Sequence, residues 1–353
     1  MTHEADQPIE WLRCDAPASD VVITSRVRLA RNFAGFPFTG RADTSERAQI
    51  LRIAQSQILD ADLAPKVMWV DITELSDTER RVLVERHLIS SNHAEGDQPR
   101  AVAVSSPDER LAIMVNEEDH LRIQVIRAGL DLTDAFEQAN TADDKIESRA
   151  DFAFSPRFGY LTACPTNVGT GLRVSAMLHL PALRLTGDLE KVKRAAKGMN
   201  LAVRGFFGEG SEAAGDLYQI SNQTTLGRSE REILQQFEQV VVPRIMEFER
   251  SARLTLAQKR PYFFEDQIFR ALAILRSARL MKIEEAMTLL GVVRLGIVSS
   301  LINDVPLATL HNLILNVQTA HLQRTHKRNM SQRERRIERA ALIRNALKEP
   351  NHG

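Results

Sequence analysis

Strand and helix signals in this 353-residue chain follow one another without regular alternation, and from about residue 256 the strand signals stop. Regular alternation would dictate a doubly wound parallel sheet; its absence favours an antiparallel α+β sheet, followed here by an all-helical part. The first strand signal covers 21–29. Val21, Ile23, Val27 and Leu29 share one face of it, and Thr24, Arg26 and Arg28 share the other. Two arginines side by side on one strand face repel each other unless an anion or carboxylates lie opposite. Taken alone, they read as solvated surface residues.

The remaining elements follow from local chemistry. Asp43 with Glu46 three residues on caps a helix that carries Ile50, Leu51, Ile53, Ala54 and Ile58. A strand is expected at 67–72, a helix at 77–87 and a polar loop at 91–99. Segments 101–105 and 111–126 read as antiparallel strands joined near Pro107 and Asp108. If the second is unbroken, Asn116, Glu118, His120 and Arg122 fall on one face. A helix follows Asp131. Apolar alternation in 158–163 and 172–180 reads as two strands joined by a turn over 164–171, in which Gly169 and Gly171 permit backbone geometries that side chains forbid. A helix near 188–199 and a strand near 217–221 come next. Ser229 with Glu232 opens a long helix through Ile233, Phe237, Val240, Val241 and Ile245, which Pro243 should kink. Beyond it, Leu272, Leu275, Ile283, Leu289, Leu290, Val293, Leu301 and Leu313 follow helical periodicity.

Composition narrows the function classes. Lys plus Arg equals Asp plus Glu, 46 each, so no global charge favours nucleic acid or a membrane. The basic stretch 321–348 reads as a solvated helix; nucleic-acid binding there would show as steep salt dependence. Cys14 and Cys164 are too few for a disulfide scaffold, and with no signal region or long uncharged apolar run the expected setting is the reducing cytoplasm. Neither a G-x-x-x-x-G-K-[ST] loop nor an H-R-D or D-F-G set is present, so any ATP phosphates must be held another way. Scattered arginines can do this, each planar, permanently charged and able to grip phosphate oxygens at two points.

Four segments give that idea content: Ser25-Arg26-Val27-Arg28-Leu29-Ala30-Arg31, Asn116-Glu117-Glu118-Asp119-His120-Leu121-Arg122, Cys164-Pro165-Thr166-Asn167-Val168-Gly169-Thr170, and Arg204-Gly205-Phe206-Phe207-Gly208-Glu209. In this order they closely resemble the signature set of the phosphagen (guanidino) kinases, over about residues 21–250. The resemblance implies a catalytic domain at 21–251, built as an antiparallel sheet flanked by helices, and a helical C-terminal domain at 256–350. It also implies transfer of the ATP γ-phosphoryl group to a guanidinium nitrogen. By the same resemblance, ATP lies against Ser25, Arg26, Val27, Arg28 and Leu29, His87, Arg122, the run Arg173, Val174, Ser175, Ala176 and Met177, and the run Arg204, Gly205, Phe206, Phe207, Gly208 and Glu209. Mg2+ rides mainly on ATP oxygens, without a dedicated protein site. Glu118 and Glu209 orient and deprotonate the acceptor, and Cys164 lies against it. Transfer is direct in this family, without a phosphocysteine.

The layout departs from the creatine and arginine kinases, which carry a small helical domain before the first arginine motif. Here that motif begins at Ser25, and helices are appended after the catalytic part. This resembles the protein-arginine kinases of bacteria. It implies arginine-bearing proteins as acceptors, a heat-shock repressor among them. It further implies an activator protein, a Clp-type AAA+ protease acting downstream in stress response, and a homodimer built by the C-terminal domain. An allosteric phosphoarginine pocket of pattern Arg-Asp-x-x-Arg-Ala corresponds here to Arg335, Arg336, Arg339 and Ala340, with Arg336 in place of Asp. Three other readings stand beside this one: a kinase for a small guanidino metabolite, an inert phosphoarginine-binding adaptor, and a nucleic-acid binder.

Overall fold

A computed structural model of the chain describes residues 9–206 and 214–348. The fold is α+β. Its first strand, β1 (Val22–Arg31), is followed by α1 (Thr44–Leu59), β2 (Val67–Asp71), α2 (Asp77–Glu85), α3 (Ser91–Glu95), β3 (Ala101–Ser105), β4 (Leu111–Val115) and β5 (Leu121–Ala128). After α4 (Leu132–Glu147) come β6 (Phe154–Ser155), β7 (Gly159–Tyr160), β8 (Leu172–His179), α5 (Pro181–Thr186), α6 (Leu189–Gly198), β9 (Leu201–Arg204) and β10 (Leu217–Asn222). Helices then take over: α7 (Glu230–Gln236), α8 (Val242–Lys259), α9 (Pro261–Ser277), α10 (Ile283–Val298), α11 (Leu307–Asn316), α12 (Thr319–Thr325) and α13 (Gln332–Ala346). Among the described residues, eight strands form one antiparallel sheet in the order β2-β3-β4-β5-β1-β8-β10-β9, and β6 pairs with β7. Among the described residues no helix is long and apolar enough to cross a membrane.

Strand parity sorts the sheet into two faces. Val27 and Leu29 on β1, Ile123 and Val125 on β5, and Leu172 and Val174 on β8 are buried on the face that carries the main core. The opposite face is split. Toward β3 and β4 it is apolar, with Val102, Val104, Ala112 and Met114 covered by Leu83, Leu88, Ile89 and Ala94 around α2 and α3. Toward β5, β1, β8, β10 and β9 it is polar and basic. Helix starts follow their caps: Asp43 with Glu46, Ser76 with Glu79, Ser229 with Glu232 and Ser331 with Glu334 each form a reciprocal capping box.

Three sequence expectations are corrected. The stretch 111–126 is not one strand: Asn116 takes a left-handed conformation (φ +62°), and β4 turns back as β5. Its buried amide donates to the carbonyls of Arg47 and Pro99, both at 2.9 Å, which locks the turn. Asn116, Glu118, His120 and Arg122 therefore do not share a strand face. In 158–163 only Gly159–Tyr160 is strand, and it pairs with β6 rather than β8. The backbone beyond Tyr160 is satisfied by Ala153 and by the Asp119 carboxylate, so 164–171 is a tethered loop and not a hairpin turn. Part of the expected polar loop folds as α3, capped by the Ser90 hydroxyl. The long helix opened by Ser229 does run through Pro243: α7 continues through a π segment at Phe237–Val241 into α8, and Pro243 lies just past that segment.

Candidate active site

Antiparallel register puts five arginines on the basic half of the sheet. Arg28 lies opposite Arg173 on β8 and Gln124 on β5; Arg26 lies opposite Ser175. Arg122 pairs with Ala30, and Arg204 on β9 lies opposite Gln219 on β10. Like charges on facing strand positions destabilise a sheet, so this face holds unfavourable energy that an anion would release. Arg28 shows it most plainly. It is 8% exposed, and its Nε and Nη2 are buried with no hydrogen-bond partner among the described residues. Burial, then Arg122, Arg26 and Arg173, push its pKa well below the usual guanidinium range. Arg26 bonds Gln219 and, at 3.4 Å, Gln124. Burial and the charges of Arg122, Arg173 and Arg204 bring it down to about 9, which leaves it cationic at neutral pH.

Other residues of the same sequence runs lie elsewhere. Ser25, Val27, Leu29, Val174 and Ala176 are buried on the core face. The Ser25 hydroxyl donates to the Gly129 carbonyl at 2.6 Å and accepts from the Asp131 amide, which fixes the start of α4. These side chains position their strands. Ser175 and Met177 face the arginine side. There a pocket is lined by Thr24, Arg26, Met177, Gln219, His87, Trp11 and Phe206. The His87 ring stands edge-on between Trp11 (5.1 Å) and Phe206 (5.0 Å). Burial and Arg26 push its pKa down to about 3, so it is neutral. Gly205 follows Arg204 and is buried. Phe207, Gly208 and Glu209 lie outside the described residues.

At the C-terminal end of β1 two loops converge. The first, 116–120, carries three consecutive carboxylates with three different fates. Glu117 bonds Arg122 at 2.7 Å, the Ser90 hydroxyl at 2.6 Å and the Glu118 amide at 2.9 Å. Burial alone would raise its pKa, but Arg122, Ser90 and the amide outweigh it and hold it at about 2. The same pair works in reverse on Arg122, whose pKa stays above its usual value despite burial. Asp119 is buried and accepts from the Asn32 amide and the Ala163 backbone, both at 2.7 Å. Glu118, between them, is exposed at the loop tip.

Cys164 begins the second loop, partly exposed, with its Sγ 3.0 Å from the Thr166 hydroxyl. That loop is tied down along its length. Asp119 holds Ala163, the Asn32 amide donates to Leu161 O at 3.0 Å, and the Thr225 hydroxyl donates to Val168 O at 2.7 Å. Arg31 donates to Thr170 O at 3.0 Å, pairs with Asp143 at 2.7 Å, and lies 3.5 Å over the Tyr160 ring. A Cβ on Gly171 (φ +66°) would come within 2.5 Å of Arg31 Nη1, so only glycine fits there. Arg31, Asn32, Glu117 and Asp119 are positioning residues that motif reading did not single out. Arg31 had a signal: position 31 falls in step with Val27 and Leu29, on the core face, where an arginine needs a buried partner.

The polar face therefore runs in sequence along β1. An aromatic pocket lies at the level of Thr24, followed by the arginines at 26 and 28, and then the Glu118 and Cys164 loops beyond Ala30. Six residues of strand span about 20 Å. Away from this site, Ala340 on α13 is buried, while Arg335 and Arg336 are partly exposed. Arg339 is 3% exposed and donates to the carbonyls of Val317 (2.7 Å) and Met281 (3.1 Å).

Comparison with known proteins adds to this geometry. A family model described as ATP:guanido phosphotransferase, C-terminal catalytic domain, matches residues 50–252. A second, described as protein-arginine kinase McsB C-terminal domain, matches residues 261–353. The protein-arginine kinase of Halothermothrix orenii is 43% identical over 340 residues, covering 96% of this chain and 96% of its own. That of Moorella thermoacetica is 42% identical over 354 residues, covering 98% and 99%. Among solved structures, the duplicated taurocyamine kinase from Schistosoma mansoni with bound transition-state-analogue components matches with a TM-score of 0.60 at 23% identity. That match covers 70% of this chain and 35% of the duplicated one. Lombricine kinase matches with a TM-score of 0.56 at 24% identity, covering 70% and 72%. At these identities the structural matches speak for the fold.

Proposed function

The chain belongs to the ATP:guanido phosphotransferase family, and we propose that it transfers the ATP γ-phosphoryl group to arginine side chains of proteins. The observation that carries this reading is the linear order on the sheet: aromatic pocket, arginine cluster, then carboxylate and thiol loops. A nucleotide laid along β1 with its base at His87 and Phe206 brings its phosphates to Arg26, Arg28, Arg122, Arg173 and Arg204. Its terminal phosphoryl then points at Glu118 and Cys164. The unpartnered Nε and Nη2 of Arg28 are the donors such an anion would satisfy.

Phosphoryl transfer needs positioning and charge stabilisation more than covalent chemistry. Glu118 takes a proton from the acceptor guanidinium, whose freed nitrogen lone pair attacks the γ-phosphorus. The bond from phosphorus to the β-phosphate oxygen breaks, and ADP leaves. Glu209, matched by its motif, is the second carboxylate in this reading. Cys164 orients the acceptor from the other side. Mg2+ would ride on the nucleotide rather than on a protein site and would supply neutralising charge there.

The finer roles belong to the same proposal. They are marking of proteins for Clp-type proteolysis in the cytoplasm, a heat-shock repressor among the substrates, an activator protein, and a homodimer. Phosphoarginine sensing would fall to Arg335 and Arg336, with the buried Arg339 and Ala340 fixing their helix. The deciding experiment incubates the protein with MgATP and either an arginine-rich protein or free arginine, read by mass spectrometry under conditions that spare acid-labile phosphoarginine. Phosphoarginine on the protein supports the proposal. Transfer to free arginine alone makes the enzyme a small-metabolite kinase, and no transfer at all makes it an adaptor.

A further inference from the structure

The rim of the Cys164 loop is apolar and open. Phe154 and Phe158, on the β6–β7 hairpin, are 57% and 43% exposed, and Leu226, on the opposite side, is 56% exposed. All three are fixed to the loop. Tyr160 and Gly169 exchange backbone hydrogen bonds of 2.8 and 3.3 Å, which join the hairpin to the loop, and the Phe154 ring stands edge-on to Tyr160 at 5.3 Å. Across the loop, a Cβ on Gly169 would come within 3.0 Å of the Leu226 backbone. Large apolar side chains held out in water by a rigid frame mark an interaction surface.

Resting on the reading of the chain as a protein-arginine kinase, we infer that this rim binds apolar side chains flanking the acceptor arginine in an extended polypeptide. Continuity with the Cys164 loop argues for that occupant. A second copy of the chain seated on the rim would cover the acceptor loop and block transfer, whereas a polypeptide threading past Cys164 must cross it. The chemistry sets the substrate class. Folded proteins keep apolar side chains inside, so a rim that binds them next to an arginine favours segments that have come out of a fold. The Arg157 guanidinium lies 4.9 Å over the Phe158 ring, which stays 43% exposed.

The test uses two peptides with the same central arginine, one flanked by Leu and Phe, the other by Ser and Gly. Wild type should phosphorylate the apolar peptide about tenfold more efficiently, the worth of one apolar side chain taken from water. The difference should lie in KM. The double variant Phe154→Ser, Phe158→Ser should bring the two peptides together and leave the KM for ATP and turnover of the polar peptide unchanged. Leu226→Ser, across the loop, is an independent check should the hairpin variant unfold, and it should narrow the gap in the same way. Equal efficiencies in wild type, or a preference kept by every variant, overturn the docking surface while leaving the kinase reading in place. Phosphorylation of free arginine but of neither peptide overturns both. A concentration-dependent dimer abolished by these substitutions, with peptide preference unchanged, would assign the rim to self-association and overturn the inference.

Discussion

Replacing Arg28 by methionine should make the ligand-free protein more stable and the enzyme nearly inactive. Arg28 is 8% exposed, and its Nε and Nη2 are buried without partners among the described residues. A buried donor left unsatisfied costs about 1–3 kcal/mol, and two are removed together. The charge also goes, and with it the repulsion from Arg122, Arg26 and Arg173. Methionine keeps an unbranched stem of similar reach, so the apolar contacts of the Arg28 stem are largely retained. The ion pair between Arg122 and Glu117 is untouched. The expected gain is roughly 2–4 kcal/mol, reduced by whatever methylene packing is lost. Urea unfolding followed by fluorescence of Trp11 and Trp69 reads it directly.

The function should move the other way. Losing one charge-stabilising donor from a phosphoryl site costs about 10²–10³ in turnover. Wild type should also gain stability on adding MgADP or phosphate, because the anion satisfies Arg28, and the variant should gain less. A variant that is less stable than wild type without ligand, or one that turns over normally, would refute the argument that this face stores energy for an anion.

Further expectations follow from the same geometry. Glu118→Gln should lower turnover about 10²–10⁴-fold, the usual worth of a positioned general base, while the exposed loop tip leaves the unfolding midpoint unchanged. Cys164→Ser should lose most activity but keep measurable turnover, and a phosphocysteine trapped on the wild-type enzyme would contradict direct transfer. Glu117 titrates at about 2 in the fold against an ordinary value of 4.5. A carboxylate depressed in this way stabilises the fold fully above pH 4.5 and loses that contribution as pH falls toward 2, at most about 3 kcal/mol. Glu117→Gln should therefore flatten the acid limb of a stability–pH curve, and an unchanged limb would count against the pairing. Glu85→Gln should raise the KM for ATP several-fold with little change in the KM for a protein acceptor; equal changes in both would indicate general loosening instead.

Much of the fold was legible because local rules and tertiary structure agree. Parity placed Arg26 and Arg28 on the face opposite Val27 and Leu29, and the capping boxes at Asp43 and Ser229 start their helices where the pattern put them. The failures have physical causes. Apolar alternation runs through 111–126 without a break, yet Asn116 turns left-handed because two distant carbonyls, of Arg47 and Pro99, hold its amide. No local pattern carries that information. Likewise, three acids in a row give no sign of which is buried, and their different fates depend on Arg122 nearby and on Ser90, Asn32 and Ala163, brought in from distant parts of the chain. In 158–163 the alternation is real, but the second half bonds the Ala153 carbonyl and the Asp119 and Asn32 side chains instead of a neighbouring strand, which no period can reveal.

One joint between the C-terminal helices and the aromatic pocket runs through α2. Glu85, at the last turn of α2, accepts from the amides of Ala320 and His321 at 2.8 and 2.9 Å and from the His321 ring at 2.7 Å. It thus holds the start of α12 from across the molecule. The next residue, Arg86, is locked to Glu109 by bonds of 2.9 and 2.6 Å, and the one after is His87, between Trp11 and Phe206. On the far side of α12, Arg339 donates to Val317 and reaches the Thr319 hydroxyl at 3.5 Å. Any shift of α13 that moves Arg339 pulls on the first turn of α12, and α12 can move only by dragging or releasing Glu85. A buried carboxylate deprived of three donors at once is costly, so Glu85 ties the start of α12 to the turn that carries His87.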